Sequence, residues 1–352
     1  MKNRKWLIIA LIILILLLIT VGIIGIFLVN KINSKIDKID YQEINKEDLG
    51  ISEEQKKSKF RNIAILGTDS RYDDYNDFAR TDCIMILSIN TETNKMNLFS
   101  IYRDTFTKMT LDGKEKYDKI NHAFYGGVTN TLKTINQNFD LNITEYIMID
   151  FETVAAMVDQ VGGVSVNITS EELKVINAPI KENNRVIGAS SKTLTTTGKQ
   201  QLNGVQALAY GRIRYTTGGD YRRTERMRTI LEKVFAKLKT KNIKEIDDIT
   251  NKILPKVKTN ITKEQIKELL PKFTELKFNS TFGFPYNVTS KGLDLKDYYK
   301  GTKGGLDYYV IPLKLVDDVE KLHKEVFDEK DYKAPKTIKD IYTEIKTKAK
   351  IK

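Results

Sequence analysis

The chain has 352 residues, enough for one large domain or two modest ones once the ends are set aside, with 58 Lys and Arg against 46 Asp and Glu. The resulting net charge of +12 calls for an anionic partner: nucleic acid, an anionic membrane surface or a phosphate-rich polymer. One cysteine, Cys83, excludes an intramolecular disulfide, and with only His122 and His323 beside it a His-rich or thiolate zinc site is excluded too, which leaves carboxylates and a hard cation for any metal.

No residue from Trp6 to Val29 is charged, and Leu and Ile dominate the run. As a helix it spans about 36 Å, more than the ~30 Å hydrocarbon core of a bilayer. A cleaved signal peptide would have an apolar region of roughly 7–15 residues ending at a small-residue site. Nothing like Ala-x-Ala follows Val29, so residues 6–29 read as an uncleaved transmembrane helix. Lys2, Arg4 and Lys5 precede it without an acid, whereas Lys31, Lys35 and Lys38 beyond it are offset by Asp37 and Asp40. Cytoplasmic flanks are the richer in Lys and Arg, which puts residues 1–5 inside and the body outside the cell. The expected localisation is the cell membrane, with a single pass. Residues 30–59, polar with spaced isoleucines, read as a stalk.

The globular pattern starts at Phe60. Ile63-Ala64-Ile65-Leu66, closed by Gly67, reads as a buried strand. Residues Cys83 to Ile89 and Met96 to Ile101 form two more, joined as an antiparallel hairpin by the polar turn Thr91-Glu92-Thr93-Asn94. If Asn90 faces Lys95, Asp82 comes opposite Arg103, and a slip of one residue would spoil that contact. Leu132, Ile135 and Phe139 mark a helix over Thr129 to Phe139, and Tyr146 to Phe151 reads as a strand. Val154, Met157, Val158 and Val161 mark a helix stopped by Gly162-Gly163, and Val164, Val166 and Ile168 alternate as a half-buried strand. Residues 169–197 read as a long polar insertion. A helix resumes near Leu202 and runs to about Tyr210. Asp220 reads as the N-cap of a long helix with Met227, Ile230, Leu231, Val234 and Leu238 along one face. From 241 to about 327, helical segments and one short strand, Tyr308 to Ile311, complete the same domain. Residues 328–352, rich in Lys, read as a mobile tail. The alternation of strands and helices predicts an α/β layered domain over 60–327, with a central mixed β-sheet flanked by helices.

Four polar clusters fall at the ends of these elements: Gly67-Thr68-Asp69-Ser70-Arg71, Arg80-Thr81-Asp82, Arg103-Asp104, and Arg212/Arg214 with Arg222-Arg223-Thr224-Glu225-Arg226. Singly, each reads as a surface ion pair worth under about 1 kcal/mol. Together they have a chemical logic. Asp69 and Asp82 are the hard oxygen donors that suit Mg²⁺, or Mn²⁺ in its place. Arginines suit a pyrophosphate, since the planar fork donates two bonds at once and stays charged. In an extended run Arg212 and Arg214 point to one side and Ile213 to the other. Arg223 sits at a helix N-terminus, where amides and the macrodipole also favour an anion. Phosphoryl transfer needs this combination of positioning and charge neutralisation.

With those residues in view, the chain resembles the LytR–CpsA–Psr family. The matching stretches are Asn62 to Arg71, Arg80-Thr81-Asp82, Ser100 to Thr105, Lys119-Ile120-Asn121, Gly162-Gly163-Val164, Leu202 to Arg212 and Arg223-Thr224-Glu225-Arg226, in order over roughly 60–240. The resemblance implies an enzyme that takes a glycopolymer from an undecaprenyl-pyrophosphate carrier at the membrane and attaches it to peptidoglycan through a phosphodiester. It implies Asp69 and Asp82 as Mg²⁺ carboxylates and Arg80, Arg103, Arg212, Arg214 and Arg223 as a pyrophosphate clamp, with Lys119 as a further contact. Asp69 is also the candidate base for the acceptor hydroxyl, a duty that competes with metal binding. Two departures stand out: Tyr102 where the family usually has Pro, and Met227 where Gln is frequent, which removes a hydrogen-bonding side chain.

Two rival readings belong to other classes. A non-enzymatic envelope regulator would use the positive charge differently, but there is no helix-turn-helix or zinc motif for nucleic acid, and a body outside the cell forbids DNA contact. A polyprenyl-pyrophosphate hydrolase or binding protein that does not transfer would follow if Met227 removes a substrate contact. Of the histidines, His122 reads equally as a substrate contact or a structural hydrogen-bonding residue, and His323 as a solvated one.

Overall fold

The computed structural model describes residues 39–68, 81–269, 275–294 and 305–352. The predicted cytoplasmic N-terminus, the transmembrane segment 6–29 and the first part of the stalk lie outside them. Among the described residues no helix is long and apolar enough to cross a membrane.

In chain order the strands are β1 (Asp40–Tyr41), β2 (Phe60–Thr68), β3 (Thr81–Asn90), β4 (Lys95–Ile101), β5 (Phe106–Leu111) and β6 (Lys114–Lys119). There follow β7 (Glu145–Ile149), β8 (Val164–Ile168), β9 (Gly198–Leu202), β10 (Lys258–Thr259), β11 (Lys277–Phe284), β12 (Val288–Leu293) and β13 (Asp307–Pro312). The helices are α1 (Gly127–Phe139), α2 (Phe151–Gln160), α3 (Ser170–Ile187), α4 (Gly204–Arg212) and α5 (Gly219–Leu238). After them come α6 (Ile243–Ile253), α7 (Lys263–Leu269), α8 (Leu315–Val326) and α9 (Lys336–Ala349).

Seven strands make one sheet in the order β1-β10-β7-β2-β3-β4-β11. β2 runs antiparallel to β3 and β3 to β4, while β7 is parallel to β2 and β11 to β4. Four strands, β7, β2, β4 and β11, therefore point the same way and end at one edge, where β3 begins. The hairpin of β3 and β4 has the predicted register, from Ile84 opposite Ile101 to Ile89 opposite Met96.

Side chains alternate across a strand, so each strand feeds two cores. Ile63, Ile65, Met85, Leu87 and Ile147 face one, packed against α2, α4, α5 and α6. Ala64, Leu66, Ile86, Phe99 and Met148 face the other, against α1, α8 and α9. The result is a central mixed sheet between two helical layers, and burial on both faces explains the near-continuous apolar runs of β2 and β3.

Several expectations are corrected. The stalk does not extend to residue 59: β1 pairs with β10 inside the sheet and Leu49 is buried in the second core. The polar insertion is not irregular. Eighteen of its residues form α3, opened by a capping box in which Thr169 Oγ1 accepts from Glu172 N and Glu172 Oε2 accepts from Thr169 N. Leu202 ends β9, so the next helix begins at Gly204, capped by Asn203. The cap residue of α5 is Gly218, and Asp220 lies in its first turn. The region after 241 holds a full strand of the main sheet, β11, beside the hairpin of β12 and β13. The Lys-rich C-terminus is no mobile tail, because Ile338, Ile341 and Ile345 of α9 are buried in the second core. His323 is fully buried rather than solvated: Nε2 faces the carbonyl of Phe139 at 3.2 Å, Nδ1 faces Glu329 at 2.8 Å, and Tyr332 stacks on the ring.

Candidate functional site

Arg103-Asp104 follows β4 at the sheet edge where β2, β4, β7 and β11 end, the edge outside which open α/β sheets bind ligands. Thr68 and Thr81 are register partners across β2 and β3, and both are buried. Asp69 and Asp82 each follow one member of that pair in the chain. Asp69 and Arg80 themselves lie outside the described residues, and of Asp82 only the backbone, within β3, is described. Two hard-oxygen residues next to paired positions fit a divalent cation in donor chemistry. Among the described residues no group of three or more His, Cys, Asp or Glu could hold a metal ion.

The segment leaving β4 is held by backbone bonds to three other elements. Tyr102 N donates to Phe284 O at 3.1 Å, and Val310 N donates to Asp104 O at 2.8 Å. In the turn Ile120–Gly126, Asn121 N donates to Arg103 O at 3.1 Å and Ile120 N to Thr105 O at 2.8 Å. Thr81 Oγ1 reaches Asn121 O at 3.4 Å. Arg103 and the Lys-Ile-Asn motif are thus brought together although sixteen positions separate Arg103 from Lys119.

Arg103 Nε lies 3.4 Å from Asp104 Oδ2. Lys119 Nζ lies 2.7 Å from Asp307 and 3.8 Å from Asp104, with its ammonium 5.1 Å from the centre of the Tyr309 ring. Burial alone would raise the Asp307 carboxyl, but the Lys119 hydrogen bond and charge outweigh it and hold it below the ordinary range. His122 Nδ1 sits 2.9 Å from Asp118, and its ring stacks on Tyr125.

Arg223 is buried in the first turns of α5, with Nη2 3.0 Å from Asp220. Arg212 closes α4 rather than lying in an extended run, and Ile213 turns into the core. The Arg212 guanidinium is held by Glu182, at 2.9 Å, and by Asn183, both from α3. Burial first, and then the charge of half-buried Arg214, bring its pKa down to about 10. Arg226, one turn beyond Arg223, joins these segments: it donates to Glu172 at 2.6 Å, to Ile213 O at 3.2 Å and to Thr216 Oγ1 at 2.7 Å.

Sequence reasoning missed Asp307, Glu172, Glu182 and Asn183, whose segments were read as strand flank or polar insertion. For Glu172 a signal existed, the Thr169-x-x-Glu172 capping box. Met227 is a packing residue. It is buried against Gly211, where an added Cβ would come within 2.0 Å of its sulfur.

Fold and site together define an α/β protein in which Arg103 and Lys119 meet at a sheet edge and the first turn of α5, which bears Arg223, packs on the same segment, an arrangement suited to a polyphosphate anion. The chain belongs to the LytR_cpsA_psr family, which matches residues 26–323. It is 31% identical over 281 residues to the polyisoprenyl-teichoic acid–peptidoglycan teichoic acid transferase TagU of Bacillus cereus (strain AH820), covering 78% of this chain and 83% of that protein. Among solved structures it is similar to protein gbs0355 from Streptococcus agalactiae, with TM-score 0.63, 25% identity and coverage of 80% and 92%. It shares its fold with TagV of B. subtilis, at TM-score 0.56 and 24% identity, covering 79% of this chain and all of that one.

Proposed function

We propose that the chain transfers a glycopolymer from an undecaprenyl-pyrophosphate carrier to peptidoglycan and releases undecaprenyl phosphate. The observation that carries the reading is the gathering of Arg103, Lys119 and the start of α5 at one sheet edge, in a member of a family whose relative is named as a teichoic acid transferase. Arg103 and Arg223 bind the two phosphates, Lys119 adds a point charge, and Arg212 and Arg214 flank them. Asp69 and Asp82 would hold Mg²⁺ or Mn²⁺, which when bound neutralises charge on the phosphate oxygens. The acceptor hydroxyl loses its proton to a carboxylate, for which Asp69 is the candidate, as its oxygen bonds the sugar-side phosphorus. The bond from that phosphorus to the lipid phosphate breaks, and the lipid phosphate leaves. Residues 6–29 anchor the body at the outer face of the membrane, and the polymer is teichoic acid, capsule or another wall polymer.

Arg103→Ala is expected to abolish transfer of a short polyprenyl-pyrophosphate glycan to a peptidoglycan oligomer while leaving the circular dichroism spectrum intact. Turnover at the wild-type rate would remove Arg103 from the clamp.

A further inference from the structure

The two arginines of the clamp come from different elements, Arg103 from the segment after β4 and Arg223 from α5, and each has a tyrosine close by in the chain. Tyr102 precedes Arg103 and Tyr221 lies two positions before Arg223. Their rings meet edge to face, with centroids 4.6 Å apart and planes at 83°, a geometry that aromatic quadrupoles favour. Burial raises both phenols above their ordinary range, so the rings are neutral and the contact is aromatic rather than ionic.

The Tyr102 ring and the helix that bears Tyr221 are also fixed. Tyr102 N donates to Phe284 O, and the Tyr102 hydroxyl fills the place where a Cβ on Gly283 of β11 would lie, only 2.1 Å from that position. A residue other than glycine at 283 would push the ring away. On the α5 side, Arg228 Nη1 donates to Ser100 Oγ at 2.9 Å, which pins the helix to β4 two positions before Tyr102.

We infer that Tyr102 and Tyr221 are positioning residues that couple Arg103 to Arg223, so that guanidiniums from two elements are presented to a pyrophosphate as one unit. The inference rests on the clamp reading above and goes beyond it. Neither tyrosine touches the anion; each sets the backbone from which an arginine reaches it.

The test is titration of the full chain in detergent with geranylgeranyl pyrophosphate, for wild type, R103A, R223A and the double variant, each also in a Y102A background. Y102A alone is expected to weaken binding roughly threefold to tenfold, the size of one aromatic pair. Y102F, which keeps the ring, restores wild-type affinity. In wild type the effects of R103A and R223A are non-additive, and in the Y102A background they become additive. Tyr221→Leu, which leaves the end of β4 untouched, gives the same pattern if Y102A does not fold. Non-additivity that persists in Y102A, or Y102A binding as wild type does, overturns the coupling while the clamp stands. Wild type that binds no polyprenyl pyrophosphate overturns the clamp reading and the coupling with it.

Discussion

Arg226 belongs to the same Arg-Thr-Glu-Arg stretch as Arg223, yet its surroundings give it another role. Its guanidinium and the Glu172 carboxylate are nearly inaccessible, with side chains 4% and 3% exposed and 2.6 Å apart. Replacing it by methionine keeps the apolar stem and strands the carboxylate. Breaking one partner of a buried pair costs about 3–5 kcal/mol, and the Ile213 carbonyl and Thr216 hydroxyl each lose a bond worth about 1 kcal/mol. A total of roughly 5–7 kcal/mol is a large part of the stability of an ordinary domain. Urea denaturation of R226M, E172M and the double variant tests this. The double variant is expected to be less destabilised than the sum of the singles, because it leaves no unpaired charge. If R226M lies within about 1 kcal/mol of wild type but loses affinity for a polyprenyl pyrophosphate, the pair is not structural and Arg226 belongs to the clamp.

Two further outcomes follow from packing and ionisation. Ile345→Ala, at a fully buried site of α9, is expected to lower stability by about 2–5 kcal/mol in chemical denaturation; a loss below about 0.5 kcal/mol would return the C-terminus to the status of a tail. Burial raises the Tyr210 phenol from 10 to about 12. The unfolded chain then releases this proton near pH 10 while the folded chain keeps it to about 12, so the contribution is present below pH 10 and lost as pH rises from 10 to 12. Denaturation midpoints of Tyr210→Phe should fall less steeply across that window than those of wild type, and equal slopes would refute the assignment.

What could be read in advance was whatever local pattern alone decides. The β3–β4 register followed from a four-residue turn and two apolar runs, and Gly162-Gly163, both at positive φ, stopped α2 where the periodicity ended. The misses share a cause, tertiary contacts overriding composition. α3 carries Pro179 and paired asparagines that weaken helix propensity, but buried Asn183 and half-buried Asn184 bond to backbone carbonyls of neighbouring segments, which offsets that cost. α9 hides Ile338, Ile341 and Ile345, a correct helical spacing, among lysines that make the segment look solvated. Asp307, the acid that holds Lys119, comes from 188 positions further along the chain, and no local pattern announces such a partner.

The placement of α8, α9 and β11 sets an order on folding. Phe99 and Ile101 on one face of the sheet, with Phe139 of α1 beside them, are covered by residues from the last fifth of the chain. During synthesis that face stays open to water until the C-terminus emerges, and the edge of β4 has no neighbour until residues 277–284 arrive. A prematurely stopped chain would therefore expose an apolar sheet face and an unpaired strand, the two features that drive self-association. Its failure would be one of solubility as much as of stability.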